Sequence, residues 1–418
     1  MGMDRETARF PMPIRLYAQV EDEDEIRYDD YTSLYPWVNK YGNYPVGHPT
    51  FMYEPDTTNL LPYFGLAKCT ILPPQRLYHP VLPYCSHDKH KFPLCRTCVE
   101  DNISKPLFET THACHHTDDQ RALVGTWCTP ELNVAVQKGY IIQHVHEVWH
   151  FDDRRTGLFW SYVDTWLQIK EEASGWPKGC TTPAQTQAHV DAYYARKGLR
   201  LDATQIEKNP GLRALAKMML NSMWGKFGQR INKTQVREFT DPQPFIQFLY
   251  SDQHDVRYVS SLTEDRLKVH YKLQTHDVLP SPNLNIFVAV FTTCHARLRL
   301  YRALDHLGER VLYFNTDSVA YLHRPGDPAW PVPRTMVTRT RRERWYARSM
   351  DLVPHASRNL IPSKEMPRRI HWKRDPHKDY RLVYSKRVLD PTTAKTHPYS
   401  YERFTHEDLD LVSAELFA

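Results

Sequence analysis

Apolar positions are interleaved with charge along the whole 418-residue chain, and their local spacing marks a few well-defined elements. In GERVLYFNTDSVAYLHRPG, residues 311–314 and 319–322 are β-forming runs and 315–318 is turn chemistry, which predicts a hairpin with Asp317 at its corner. In EIRYDDYTSLYPWVNKYG, a strand Glu25–Tyr31 ends in acids and gives way to Ser, Pro and aromatic residues. A second carboxylate is therefore delivered where a strand ends. In EKNPGLRALAKMMLNSMWGKFGQR, Asn209 suits the N-cap and Pro210 the first helical position, so a helix is expected to start there and stop near Gly225 or Gly228. At about 100° per residue, Leu212, Ala216, Met219 and Met223 share one face, while Arg213, Lys217, Asn221 and Trp224 share another. Two cations a turn apart, then an amide and a flat ring, are what a site presents to a triphosphate and a base. The competing reading is an exposed cationic face with Trp224 as an anchor.

No stretch approaches the roughly 20 consecutive apolar residues of a membrane span, so a soluble chain with no membrane partner is expected. The beginning, MGMDRETARFPMPIRLY, has no apolar signal core, which argues against secretion. An intracellular, reducing setting follows, in which the eight cysteines are thiols or metal ligands. The formal net charge of +5 is modest but focused. VEDEDEIRYDD is acidic, whereas PRTMVTRTRRERWYARS and PRRIHWKRDPHKDYRLVYSKR are basic with interleaved aromatics, as a surface following a phosphate backbone would be. Pro-bearing stretches such as YPVGHPTFMYEPDTTNLLPYFG read as irregular connections, and no internal repeat stands out.

One cluster has metal-ligand spacing. In YCSHDKHKFPLCRTCVEDN and the following THACHHTDDQ, the two-residue gap between Cys95 and Cys98 lets both thiolates reach one ion. Cys114 with His115 or His116 would complete a tetrahedron. Ordinary buried thiols beside polar histidines are the alternative.

Taken together, DYTSLYP, KMMLNSMWG and YFNTDS resemble motifs A, B and C of family B DNA polymerases, in the order and spacing of that family. The blocks NPGLRA…NSMWGKFGQR, CRTC, GTW and KRVLDP…PYSY are similar to the protein-primed polymerases of Maverick/Polinton elements, relatives of adenoviral polymerases. The resemblance covers most of residues 15–325 and returns near 378–402. It implies an α+β fold: a family B palm of antiparallel sheet with helices, helical fingers, two insertions and an incomplete thumb, without an exonuclease domain. The implied divisions are 1–49 for the first part of the palm with motif A, and 50–181 for an insertion resembling the first terminal-protein region. Residues 182–228 would be fingers with motif B, 229–282 an insertion resembling the second terminal-protein region, 283–377 palm with motif C and a divergent basic segment, and 378–418 a thumb remnant.

The activity implied is DNA-directed DNA polymerisation, adding deoxynucleotides to a primer 3′-hydroxyl or a protein hydroxyl during replication of a viral or transposon-like element. Such a transfer uses a pair of Mg²⁺ ions held by few carboxylates. Strand alternation leaves Asp29 and Asp30 open, and the family's spacing to SLYP selects Asp30; Asp317 is its partner. Tyr35 would lie beneath the incoming sugar and exclude a 2′-hydroxyl. Lys217 with Arg213 would neutralise the triphosphate, Asn221 would orient it, and Trp224 stands where the family commonly has tyrosine. The family's Cys-x-His favours His116 in a structural Zn²⁺ site with Cys95, Cys98 and Cys114; Cys85, His87 and His90 are the substitutes. The implied partners are DNA template and primer, dNTPs and a terminal protein, acting on a monomer in the nucleus or at a viral replication site.

The chain departs from the family at Asn315, where the first acid of an Asp-Thr-Asp triplet is usual. Residues 323–377 lose the pattern and lack clear periodicity, as a loop, an arm or a reading-frame error would. The Lys-x-Tyr primer grip has only Lys378-Asp379-Tyr380 as a match in letters. These departures support an alternative, a catalytically impaired or inactive polymerase-derived remnant that binds nucleic acid. A reverse transcriptase is opposed by Tyr35 and the NSMWG helix.

Overall fold

The computed structural model describes residues 12–328 apart from 15–16, 19–23, 32, 88, 102–113, 178, 230, 264 and 275–283, and beyond them 336–341, 345–346, 388–390, 395–399 and 401. The fold is mixed α+β, with antiparallel strand pairs throughout the described sheets. Its centre is a five-stranded sheet in the order Met12–Pro13, Val311–Asn315, Ser318–His323, Glu25–Tyr31, Met336–Arg341.

Both faces of this sheet are covered where the two middle strands run, which is why VLYF and SVAYL are continuous apolar runs rather than alternating ones. On one face Val311, Phe314, Val319, Tyr321 and Tyr31 pack with Leu34, Val38, Ala296, Leu300 and Leu304. On the other, Ile26, Leu312, Tyr313, Ala320 and Leu322 form a smaller cluster with Tyr28. The expected hairpin forms with a tighter turn than 315–318, because Asn315 and Ser318 pair and only Thr316 and Asp317 remain between the strands.

Part of the segment read as a loop or arm belongs to the sheet. Residues Met336–Arg341 pair antiparallel with Glu25–Tyr31, setting Val337 opposite Asp30 and Thr338 opposite Asp29. In its run MVTRTR only the last four residues alternate hydroxyl and cation, too short for a period to stand out among flanking charges.

The 22-residue helix Ile286–Leu307 is the spine of the fold. Asn285 caps it, its side chain accepting from the Val288 amide at 3.2 Å. The carboxyl half lies against the central sheet, and the amino half packs Val288, Phe291 and Cys294 against Tyr44, Phe64, Cys128 and Phe151. Beyond it stands a four-stranded sheet in the order Thr50–Tyr53, Ile141–His150, Gly65–Leu72, Leu123–Cys128. Its own core is Ala67, Cys69, Ile71, Leu123, Leu132 and Val148.

Two further units flank this body. Helices Trp160–Glu172 and Pro210–Phe227 lie side by side, with the Tyr162 hydroxyl donating to the Met219 carbonyl at 3.1 Å. Between them in sequence runs Pro183–Lys197, opened by a Thr182/Gln185 capping box and ended by Gly198 at φ 69°. A three-stranded sheet, Gln235–Phe239, Arg266–Leu273, His254–Thr263, is backed by helix Pro242–Leu249 through Phe239, Phe248 and Val269. Among the described residues no helix is long and apolar enough to cross a membrane.

The turn that joins the central sheet to the spine holds a buried polar knot. The Tyr44 hydroxyl lies 2.9 Å from Asn39 Oδ1 and 2.9 Å from Thr292 Oγ1, and Tyr44 is wholly buried. Tyr44→Phe removes one member while Thr292 still donates to Asn39. It is expected to cost about 1–2 kcal/mol, seen as a lower urea midpoint at unchanged denaturant slope.

Candidate active site and metal centre

The two acids delivered at strand ends meet. Ser318 is the direct cross-strand partner of Asp30, and the Tyr31 amide donates to the Asp317 carbonyl at 2.7 Å. One residue of offset across an antiparallel pair puts the Asp30 and Asp317 Cα atoms about 6–7 Å apart. Both acids are half-buried, at the open end of the sheet. Strand alternation sets Asn315, Ser318 and Asp30 in one cross-strand row on the same face.

Asp29 turns the other way. It is fully buried beside Tyr321, whose hydroxyl is pushed up to about 12 by burial first and by the Asp29 charge second. The strand thus sends one acid inward and one toward the open corner.

Helix Leu34–Tyr41 begins directly after this strand, and Ser33 takes the left-handed conformation, φ 60° and ψ 52°, at its N-cap. A non-glycine residue in that region is strained and is held by its surroundings. One of those surroundings is Lys170 of helix Trp160–Glu172, whose Nζ donates to Ser33 Oγ at 3.3 Å. The same two helices are joined by Lys40 and Asp164 at 2.6 Å, both little exposed.

Tyr35 follows in the first turn. Burial holds its hydroxyl well above the ordinary range, Arg297 opposes that and the Asp317 charge adds to it, so Tyr35 faces the acid corner in its neutral form. Its ring stacks on Trp224 with centroids 4.6 Å apart and planes at 19°. Helix Pro210–Phe227 therefore presents Ala216, Leu220 and Trp224 inward. The expected division of faces does not hold: Leu212 is 40% exposed, and Trp224, expected on the face of Arg213, Lys217 and Asn221, is buried against Tyr35 while those three are exposed.

Arg213, Lys217 and Asn221 are exposed on this helix, and Arg213 Nε donates to Ser174 Oγ at 3.0 Å. Lys170 belongs with them. Its pKa is lowered by burial first, and the charges of Arg213, Lys217 and Lys197 lower it further against the pull of Glu171. Lys170, bonded to Ser33, thus lies within the charge field of Arg213, Lys217 and Lys197. The sequence reading missed Lys170, since WSYVDTWLQIKEE offers nothing that separates it from an ordinary surface lysine.

It also missed Arg297. This residue stands in the apolar helix run FVAVFTTCHARLRLY, where it and Arg299 are the two arginines and were the available signal. Its Nε and second guanidinium nitrogen bind Glu131 at 2.7 and 2.6 Å, with Glu131 itself buried. Tyr35, Arg297, Phe314 and Thr316 line a cavity of about 40 Å³ behind the corner. That volume suits about three water molecules.

A second centre lies among residues 95–116. Sγ of Cys95, Cys98 and Cys114 and a ring nitrogen of His116 lie within 4.8 Å of one another. His116 Nδ1 is 3.5, 3.3 and 3.5 Å from the Cys95, Cys98 and Cys114 sulfurs, and the Cys98 and Cys114 sulfurs are 3.7 Å apart. A tetrahedral ion with about 2.3 Å to sulfur and about 2.0 Å to nitrogen requires edges of about 3.5–3.8 Å. The donor set fits such an ion, with four protein ligands and no open position. His115 is exposed and Cys85 pairs with His90 in a separate hairpin, Tyr84–Ser86 with Lys89–Lys91, outside the group.

Residues 15–178 match the family model described as DNA polymerase type B, organellar and viral. Among solved structures, Phi29 DNA polymerase in its orthorhombic crystal form aligns at 16% identity and a TM-score of 0.42, over 75% of this chain and 41% of that one. The Phi29 ternary complex with primer-template DNA and incoming nucleotide substrates aligns at 14% identity and 0.42, over 77% and 44%. Its post-translocation binary complex with primer-template DNA aligns at 15% and 0.43, over 80% and 45%. The chain spans less than half the length of these polymerases. No curated protein matches it.

The Cys/His group generates a direct expectation. The purified protein should carry about one equivalent of a thiophilic divalent cation by elemental analysis, and Cys98→Ser less than about half. Equal, low occupancy in both would leave the four residues as ordinary thiols and a histidine.

Proposed function

We propose that the chain is the polymerising core of a family B DNA polymerase of the protein-primed type, closest to those of Maverick/Polinton elements. It transfers deoxynucleotides to a primer 3′-hydroxyl or a protein hydroxyl in replication of a viral or transposon-like element. The observation that carries this reading is the meeting of Asp30 and Asp317 on adjoining strands, beside a face of three cations and the Tyr35–Trp224 stack.

Two half-exposed carboxylates at one corner are a donor set suited to hard divalent cations, and Asp30 and Asp317 would hold a pair of Mg²⁺ ions. When bound, those ions supply positive charge to the attacking and departing oxygens of an in-line displacement. Lys217, Arg213 and Lys170 neutralise the triphosphate, and Asn221 orients it. Tyr35, fixed against Trp224, occupies the volume a 2′-hydroxyl would need. The ion of the Cys/His group is Zn²⁺ in a structural role, since its four ligands leave no place for water.

On the same reading, 1–49 and 283–377 are palm, 182–228 fingers, and 378–418 a thumb remnant; Lys378, Asp379 and Tyr380 lie outside the described residues. Residues 50–181 and 229–282 occupy the places of the two terminal-protein regions. Template, primer and dNTPs are the partners, with a terminal protein supplying the priming hydroxyl.

One observation favours a second reading. Asn315 stands in the row of Asp30 and Ser318, where a carboxylate would add negative charge, so the corner is weaker for cations than the family pattern. A chain that binds DNA without extending it would fit that deficit.

Extension of a primed template with Mg²⁺ or Mn²⁺ separates the two. The wild-type chain is expected to extend, and Asp30→Asn and Asp317→Asn to lose at least about 100-fold in rate. Wild-type DNA binding with no extension would select the second reading, and active acid variants would remove the assignment altogether. Asn315→Asp is expected to raise extension several-fold. Lys170→Met should raise the dNTP KM by about tenfold while the thermal midpoint holds or rises. The sign follows from the lowered pKa: below it the buried ammonium is charged in the folded state at a desolvation cost, which the variant lacks.

A further inference from the structure

The Cys/His group is joined to the sheet of Asp30 and Asp317 by the described carboxyl-terminal residues, 395–399 and 401. At one end Thr396 donates its amide to the Ile14 carbonyl at 2.7 Å, and Ile14 donates in turn to Leu312 at 2.8 Å, in the strand that leads to Asp317. Lys395 reaches Glu309 at 3.2 Å. In the middle His397 stacks on Tyr401, with centroids 5.1 Å apart and planes at 4°, and Tyr78 meets both rings edge-on.

The other end is seated on the metal group. Tyr399 is buried, its carbonyl accepts from the Leu94 amide at 2.9 Å, and its ring lies 5.5 Å from Lys91 Nζ. Leu94 is the residue directly before the ligand Cys95. Lys91, itself buried, also donates to the Val99 carbonyl at 3.4 Å, in the helix that carries Cys98. The seat of Tyr399 is thus built from residues adjoining two of the four ligands.

We propose that residues 395–399 and Tyr401 form a strap whose docking is coupled to metal binding at Cys95, Cys98, Cys114 and His116, so that the ion controls whether the edge of the acid-bearing sheet is closed. The proposal rests on the metal reading above. Sites of this kind have little apolar core, and ligand binding free energy is what orders them. Losing the ion relaxes the positions of Leu94 and Lys91 and removes the seat. The strap then keeps only its contacts with Ile14, Glu309 and Tyr78, and where these yield an edge strand is exposed. Coupling of this sort is reciprocal, so releasing the strap must weaken metal binding by the same factor.

Hydrogen exchange of the full chain, before and after chelation with metal content measured in parallel, tests it. The metal-free chain is expected to exchange at least about tenfold faster in peptides covering 395–401 and 91–99. Peptides of Leu123–Cys128 should be unchanged, and added Zn²⁺ should restore protection. Tyr399→Ala should bind Zn²⁺ about tenfold more weakly in chelator competition while the fold is retained. Strap protection that survives complete metal loss, or a Tyr399→Ala chain with wild-type Zn²⁺ affinity, overturns the coupling. A chain that takes up no metal at all fails earlier, at the metal reading, and elemental analysis reports that separately.

Discussion

The register of one antiparallel pair decides the chemistry of this chain. With Ser318 opposite Asp30 and the Tyr31 amide on the Asp317 carbonyl, two acids far apart in sequence share a corner. A slip by one residue would exchange the faces of the strand, turning Asp29 outward and burying Asp30. The two faces forbid that slip. Val311, Phe314, Val319 and Tyr321 fit against the spine helix, and Ile26, Leu312, Ala320 and Leu322 fill the opposite side. Apolar packing, which has no interest in cations, thereby fixes the position of the groups that would bind them.

A second constraint aligns the helices to that corner. The Tyr35–Trp224 stack spans nearly 190 residues of sequence and anchors the carboxyl half of Pro210–Phe227 on the first turn of Leu34–Tyr41, while Arg213, Lys217 and Asn221 stay exposed on the same helix. The Lys170–Ser33 bond and the Lys40–Asp164 pair hold the neighbouring helix Trp160–Glu172 at the two ends of Leu34–Tyr41. Ser33 in its left-handed conformation is where all of these meet.

Much of this was legible because the informative signals were local. Strand Glu25–Tyr31, the hairpin around Asp317 and the Asn209-capped helix each follow from a handful of adjacent residues whose preferences agree. Cys95 and Cys98 were legible for the same reason, since two thiols two residues apart share a turn. The failures are tertiary. Leu212 reads as core by period and is exposed, since helical period says which residues share a face and not which face is covered. Residues 336–341 read as a loop because their strand character comes from the unpaired edge of Glu25–Tyr31 rather than from themselves. Lys170 carries no local mark, and only the folded chain brings it to Ser33 and Arg297 to Tyr35.

The charge pattern at the corner argues for a polyanionic ligand more strongly than either acid alone. Lys170 gives up part of its proton affinity to burial and to Arg213, Lys217 and Lys197, which the charge of Glu171 and the bond to Ser33 offset only in part. Stability alone would favour an apolar residue there, and the strained Ser33 beside it points the same way. Such a cluster becomes favourable when several negative oxygens enter, as a triphosphate brings them. Asn315 fits the same balance. A carboxylate in the row of Asp30 would help hold cations, and Asn315 leaves that row with one negative charge fewer to set against the cations of the neighbouring helices.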